Sequence, residues 1–341
     1  MAKQHHPVVR FVDATFTLIV GLYGLGTLAF LILRTFIGDG WWPIALYNSI
    51  GHLLWLPAFG LVVICLFARK WLLTLLMFFP VAAFIMTYAW ALPKTTDLNA
   101  RGTDVTIMTF NILHRDGDYQ DRAQAIRESG ADIVAVQELD QAAAARFQQD
   151  LIDIYPYQAL YPERWYAGQG ILSKIPFEEM DYWRSEVIPN SFGYQRAVVN
   201  VGGYPVTIYN LHLLHPMAGG TFFDATYRQL EVTDVLQRTL AEEGHVVMVG
   251  DFNMNDLSDD YRRITEHFSD AQATLGGGLG WSWGIRKRDI QLPPMIRLDY
   301  IFYNHLGIRP LDIQVMPNGG SDHHPVRVTM DVYDPTLSYP D

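Results

Sequence analysis

Six short segments of this chain end in side chains of the kind that hold divalent cations or phosphate oxygens. Asn111 closes Thr-Phe-Asn-Ile-Leu, Glu138 closes Val-Ala-Val-Gln-Glu, and Asn210 with His212 closes Tyr-Asn-Leu-His-Leu. Asp251 and Asn253 follow Val-Met-Val-Gly, Asp299 opens Asp-Tyr-Ile-Phe, and Ser321-Asp322-His323-His324-Pro325 comes near the end of the sequence. Carboxylates and amide oxygens suit a hard cation, and imidazoles suit proton handling. Taken singly, each has an ordinary reading. A Glu after a strand, or the Asp and Asn of Gly-Asp-Phe-Asn, can cap the next helix or close a turn. The His of Asn-Leu-His-Leu can be a hydrogen-bonded structural residue. Six such elements in fixed order are different, because side-by-side strands would bring their ends to one crevice.

The elements that must position them alternate between strand and helix. Val105–Leu113 is rich in β-formers, Tyr119–Ser129 reads as a helix closing at Gly130, Asp132–Gln137 as a short strand, and Gln141–Asp150 as a helix. Arg196–Val201 and Pro205–Leu211 flank Gly202–Gly203, a hairpin signal. Thr226–Glu243 reads as a helix, with His245–Val249 and Leu298–Tyr303 as buried strands. The pattern predicts one mixed α/β domain of two sheets with helices outside.

The ordered set resembles the endonuclease/exonuclease/phosphatase superfamily over roughly residues 103–333. That resemblance implies a four-layer α/β sandwich and hydrolysis of phosphate esters with one or two Mg²⁺ or Mn²⁺ ions. It implies Glu138 as the main carboxylate on the metal, Asn111 beside it as a neutral oxygen ligand, and Asp322 at a second metal position or steadying His323. His323 is then the general base or the phosphate-facing imidazole, oriented by Asp299. Asp251 positions or deprotonates the attacking water, and Asn253 holds a phosphate oxygen. His212, with Asn210, contacts the phosphate and can protonate the leaving oxygen. Gly168–Lys174 resembles a family strand, with Gln169 where a small polar residue is common. Tyr166 and Tyr194 are the candidates for a phosphate-contacting tyrosine. Trp283 resembles the Trp of the family's Thr-Trp-Pro segment, with Ser282 and Gly284 as its neighbours here. Gly276–Gly280 is followed by no Lys-Ser/Thr, so it is no P-loop and reads as a flexible loop; His324 reads as a packing residue.

Ahead of this domain the chemistry of the chain changes. Residues 1–92 hold only Lys3, Arg10, Arg34, Arg69 and Lys70 against Asp13 and Asp39; 20 of the 25 basic and 34 of the 36 acidic residues come after them, a net of −14. Ala14–Leu33, Trp41–Phe67 and Trp71–Leu92 are uncharged, and each is long enough to cross a bilayer. The single Cys65 excludes a disulfide framework. Lys3, Arg10, Arg69 and Lys70 place the N-terminus and the second turn in the cytoplasm by the positive-inside rule. Three crossings then put the catalytic domain outside a bacterial-type inner membrane. Asn48 and His52 are expected to bond within the helical bundle, and Gly21, Gly24 and Gly26 to let helices approach. The expected division is an anchor over 1–92 with spans at about 12–34, 42–67 and 71–92, a linker over 93–103, a catalytic domain over 104–333 and a tail over 334–341. An anchored domain of this type is similar to the teicoplanin-resistance type of membrane protein.

An acidic surface disfavours long polyanions, and tethering near a bilayer favours lipid headgroups. The expected substrate is therefore a lipid-linked phosphate or phospholipid headgroup, with Leu213, Leu214, Met217, Phe222 and Phe223 as an apolar loop beside the site. The alternative is an extracytoplasmic nuclease, with Arg184, Arg196, Arg286, Lys287 and Arg288 as its basic groove and Trp281 and Trp283 as stacking platforms. A non-catalytic scaffold is the reading from another class.

Overall fold

The computed structural model describes residues 6–94, 102–114, 119–186, 188, 191–218, 222–287, 290–334 and 336. Residues 95–101 of the expected linker, Arg288 and most of the expected tail lie outside them. The chain divides into two compact units, 1–89 and 90–341.

The first unit is helical. α1 (Pro7–Ile37) leads through a short 3₁₀ turn into α2 (Trp42–Trp55), α3 (Pro57–Phe67) and α4 (Trp71–Tyr88). The second expected span is thus two helices bent by 51°, because Pro57 cannot donate into the preceding turn. Lys70 Nζ lies 2.7 Å from Asp13 Oδ1 and 2.8 Å from Thr17 Oγ1. That ion pair sets the end of α3 beside the start of α1, so α2 and α3 together retrace the length of α1 once. Val20, Ala58, Cys65, Leu73 and Met77 fill the centre. A Cβ on Gly24 would stand 2.8 Å from Leu76 Cβ and Met77 Cε, so glycine permits the α1–α4 approach there, whereas Gly26 has open space around it. Asn48 Nδ2 donates to Asp39 Oδ1 at 2.5 Å, and the His52 ring meets Tyr88 edge-on.

The second unit opens with β1 (Thr103–Asn111), α5 (Gln120–Glu128), β2 (Ile133–Gln137), α6 (Gln141–Asp150), β3 (Tyr157–Tyr161) and β4 (Gln169–Ser173). Next come β5 (Phe177–Trp183), β6 (Tyr194–Val201), β7 (Tyr204–His212), α7 (Thr226–Thr239) and β8 (His245–Asp251). It closes with α8 (Asp259–Thr265), β9 (Ser269–Asp270), α9 (Ala271–Leu275), a small ribbon of β10 (Arg286–Lys287) and β11 (Ile290–Gln291), then β12 (Asp299–Tyr303), β13 (Ile308–Val315) and β14 (Val326–Val332). The strands form two mixed six-stranded sheets, ordered β13-β14-β1-β2-β4-β3 and β5-β6-β7-β8-β12-β9.

Strand alternation explains the layering. Val105, Ile107, Ile133 and Ala135 of the first sheet face Val199, Ile208, Val247 and Val249 of the second. Their neighbours Met108, Phe110, Val134 and Val136 point outward onto α5 and α6. Tyr209, Leu211, Val246 and Met248 do the same onto α7 and α8. Helix, sheet, sheet, helix is the four-layer sandwich expected, and each fully buried Val or Ile contributes about 1.5–3 kcal/mol to it.

Candidate metal-dependent active site

Register brings the strand-end residues together. β7 runs parallel to β8 with His212 opposite Asp251, and β12 runs antiparallel to it with Asp299 opposite Asp251. Three neighbouring strands therefore present His212, Asp251 and Asp299 in one row. Across the sandwich Asn111 ends β1 level with Gln137 at the end of β2. Glu138 comes next with φ of 62° and Asn253 has φ of 48°, a left-handed backbone that costs about 1–2 kcal/mol for a side chain such as Glu. At Glu138 that turn is held by Leu139 N–H donating to the Gly168 carbonyl at 2.9 Å. Helix capping falls to other residues: Asp140 caps α6 through Ala143 N and Ser258 caps α8 through Tyr261 N. Glu138 and Asp251 are left for the crevice.

The amide of Asn111 bridges the two sheets, its Nδ2 donating to Glu138 Oε1 at 2.9 Å and to Asp251 Oδ2 at 3.0 Å. Its Oδ1 accepts from Leu113 N at 3.0 Å, so in this geometry Asn111 aligns the carboxylates rather than presenting its own oxygen. Glu138 Oε2 accepts from His114 N at 2.7 Å. Asp251 Oδ2 is the hub, with His212 Nε2 and His323 Nε2 each at 3.6 Å. His323 Nδ1 lies 2.8 Å from Asp299 Oδ2. Asp251 Oδ1 accepts from Asn253 N at 2.9 Å, while Asn253 Nδ2 donates to the Leu213 carbonyl. Asp322 joins the group through Trp283 Nε1 at 3.3 Å from its Oδ2.

Burial decides how these groups are charged. Desolvation raises the Glu138 carboxyl above its usual value and pushes Asp251 up to about 7. Burial alone would lower His323, but the facing carboxylates of Asp299 and Asp251 outweigh it and push the ring up to about 10. His212 goes the other way, lowered to about 3 by burial and by the neighbouring His323. With Nδ1 at 3.1 Å from the Tyr166 carbonyl, His212 is a neutral ring whose Nε2 lone pair faces the hub. This differs from the expected proton donor to the leaving oxygen.

Asn210 is an expected site residue that the fold keeps out of the crevice. Its Nδ2 donates to the Val136 and Gly170 carbonyls, both at 3.1 Å, and its Oδ1 accepts from Gln137 Nε2 at 2.7 Å. Wholly spent between the sheets, that amide braces them rather than touching phosphate. Tyr194 is likewise buried against Glu231. His324 bonds the Met316 carbonyl, as a packing residue should.

Sequence reasoning passed over several contributors. Ser321 Oγ donates to the Asn111 carbonyl at 2.8 Å and accepts from His323 N, and its place in the Ser-Asp-His run was the available signal. Ser282 Oγ accepts from Leu298 N and Asp299 N at 3.2 and 3.1 Å, a contact with no local signature. Phe192 packs on the His212 ring, and the His114 ring meets Tyr166.

The residues present fit a divalent ion. Asp299 Oδ1 and Asp322 Oδ1 are buried with no hydrogen-bond partner among the described residues. One ligand atom from each of Asp251, Asp299 and His323 lies within 4.8 Å of the others.

A layered α/β sandwich with buried carboxylates and two imidazoles around one crevice defines the class: a hydrolase fold of the phosphoesterase type. Residues 108–323 match the Endonuclease/Exonuclease/phosphatase family, and the chain belongs to that family. Among solved structures it is similar to D. rerio TDP2 complexed with single strand DNA product, with TM-score 0.55 and 17% identity over 67% of this chain and 99% of that one. It is similar to the endonuclease/exonuclease/phosphatase from Bacteroides vulgatus, with TM-score 0.54 and 20% identity over 67% and 99%. Truncated Caenorhabditis elegans TDP2 gives 0.55 and 19% over 69% and 100%. At these identities the likeness is one of fold. No curated protein sequence matches the chain.

Proposed function

We propose that this protein is a membrane-anchored, Mg²⁺- or Mn²⁺-dependent phosphoesterase that hydrolyses a lipid-linked phosphate or phospholipid headgroup on the outer side of an inner membrane. Glu138 and Asp322 hold the ion, with Asn111 fixing the Glu138 carboxylate. A bound divalent ion would polarise the phosphoryl oxygens and stabilise the leaving oxygen. Asp251, poised near neutrality, takes the proton of the attacking water. His323, protonated and oriented by Asp299, donates Nε2–H to a phosphoryl oxygen as charge builds there. His212 and Asn253 line the opposite wall and fix the phosphate. Anchoring rests on the apolar helices and their single bent return, and sidedness on the positive charge of the Arg69–Lys70 turn.

The observation that carries the substrate class is the character of the rim. Trp165, Met217 and Phe222 are 69%, 59% and 66% exposed, on loops that lead into or out of the site, and Ile285 and Leu292 flank the ribbon after Trp283. Leu213 and Leu214, by contrast, are buried in the core. Among the described residues, three of the cations expected for a nucleic-acid groove have partners. Arg184 pairs with Glu163, Arg196 with Glu242 and Glu179, and Arg286 bonds the Gly320 carbonyl. Trp283 donates its indole N–H to Asp322 at 3.3 Å. An apolar rim suits an amphiphile better than a polyanion. Hydrolysis of short-chain and vesicle-borne lipid phosphates against plasmid DNA, with Mg²⁺ or Mn²⁺, tests this. Robust DNA cleavage at low enzyme concentration would overturn it. A scaffold would keep its cellular phenotype with both Glu138→Ala and His323→Ala.

A further inference from the structure

The residues that leave α4 are built into the catalytic unit. Arg297 is fully buried, its Nη1 2.9 Å from Asp256 Oδ1 and its Nη2 2.5 Å from Asp270 Oδ1. Its guanidinium lies 4.2 Å from the Tyr300 ring centroid and 5.2 Å from the Trp90 ring centroid. Trp90 thus packs on a buried ion network whose arginine stands two residues before Asp299. The backbone around Trp90 is fixed as well. Gly278 N donates to the Ala91 carbonyl at 3.0 Å, and Lys94 Nζ reaches the Ala273 carbonyl at 2.5 Å. A Cβ at Gly276 would stand 2.2 Å from the Leu92 carbonyl oxygen, so only glycine, here with φ of 69°, lets the two backbones meet. Gln272 Nε2 ties the same turn by donating to the Gly276 and Gly278 carbonyls. The glycine run expected to be a flexible loop is held at several points.

The Ser282–Trp283 segment just beyond that run touches both catalytic partners. Ser282 Oγ receives the Leu298 and Asp299 amides, and its carbonyl accepts from His324 N at 2.6 Å. Trp283 pairs with His323 in a backbone bridge and bonds Asp322 through its indole. We infer that Trp90 is a positioning residue: through Arg297 and the Gly276–Gly280 turn it sets the register of the Ser282–Trp283 shoulder, which holds Asp299 against His323. The inference rests on the acid–base assignment proposed above. A displacement of about 1 Å at such a pair costs on the order of a hundredfold in rate, and partial relaxation on loss of one ring costs about tenfold.

The test uses the full-length protein in detergent with Mn²⁺ and a chromogenic aryl phosphodiester. Trp90→Ala should lower kcat about tenfold with KM within about twofold, and Trp90→Phe, which keeps a ring over Arg297, should recover most of it. Hydrogen exchange supplies a readout independent of turnover: peptides spanning 276–284 and 297–300 should exchange faster in Trp90→Ala and at the native rate in Trp90→Phe, with 133–137 unchanged. A Trp90→Ala enzyme with native kcat and native exchange in these peptides overturns the inference. So does faster exchange spread evenly over the unit, which would mark general loosening. An inactive wild-type protein would count against the proposed function, and the exchange pattern would still decide the role of Trp90.

Discussion

Glu138→Gln separates a metal carboxylate from a merely buried one. In the folded chain Glu138 accepts from Asn111 Nδ2 and His114 N and is desolvated enough that its carboxyl is raised. Asp251 stands on the far side of the same Asn111 amide, pushed up to about 7. A divalent ion relieves this paired desolvation, so metal binding and stability are linked. Free Mn²⁺ at about a hundred times its dissociation constant adds about 2.7 kcal/mol. For a unit of roughly 250 residues each kcal/mol is worth about 2–4 °C, so the wild type should melt about 5–10 °C higher with Mn²⁺ than after chelation. The Gln side chain has the same shape but leaves one of its two donors without an acceptor, at a cost of about 1–3 kcal/mol, while removing a buried charge. These effects oppose one another. Chelated Glu138→Gln should therefore melt within a few degrees of chelated wild type, yet lose most of the Mn²⁺-induced rise. The measurement is tryptophan fluorescence of the full-length protein against temperature, with EDTA or Mn²⁺. A full Mn²⁺ shift retained by Glu138→Gln would refute the assignment of this carboxylate to the ion.

Asp251→Asn, nearly isosteric, should lower kcat by about 10²–10⁴ with little change in KM, and activity within tenfold of wild type would remove Asp251 as the water's base. Glu231 offers a pH test away from the site. Burial raises it from 4.5 to about 7, so its contribution to stability is fully present below about pH 4.5 and is lost as pH rises through 7. That gap is worth about 3 kcal/mol. Glu231→Gln, which can still bond Tyr194 and Leu214 N, should therefore narrow the drop in melting temperature between pH 5 and pH 8, and an unchanged drop would show that another group causes it. Replacing Gly24 with Val should crowd Leu76 and Met77, costing about 1–3 kcal/mol of helical-unit stability by detergent or urea titration, whereas Gly26→Val should have little effect.

The parts of the fold that sequence announced are those where local chemistry and tertiary demand agree. Asn111, Glu138, Asp251 and Asp299 end or open runs of β-branched and aromatic residues, and such runs become central strands whose register leaves their ends level. The hairpin at Gly202–Gly203 was legible for the same reason, since two positive-φ positions in a row select glycine. The edges were not legible. β3, β5 and β13 mix polar and apolar residues because each covers a sheet margin, and Phe177–Trp183 carries Glu178, Glu179 and Asp181 on an edge strand. The break at Pro57 was hidden by hydropathy, which is uniform across the bend and silent about backbone donors.

Asn210 and Ser282 show where residue-type reasoning stops. Both are ordinary hydrogen-bonding side chains, and neither position tells from sequence which way the amide or hydroxyl faces. Asn210 shares its strand with His212 two residues on, so alternation puts both on the inner face of the sheet. Only depth separates them. Asn210 sits one level inside, where Gln137 and two carbonyls exhaust its amide, while His212 sits at the mouth beside Asp251. Asp299 and Asp322 each keep an unspent Oδ1 and the His212 Nε2 lone pair faces Asp251, whereas Asn210 spends its whole amide on holding the sheets together. Substitutions at Asn210 should therefore act through stability and those at His212 through turnover.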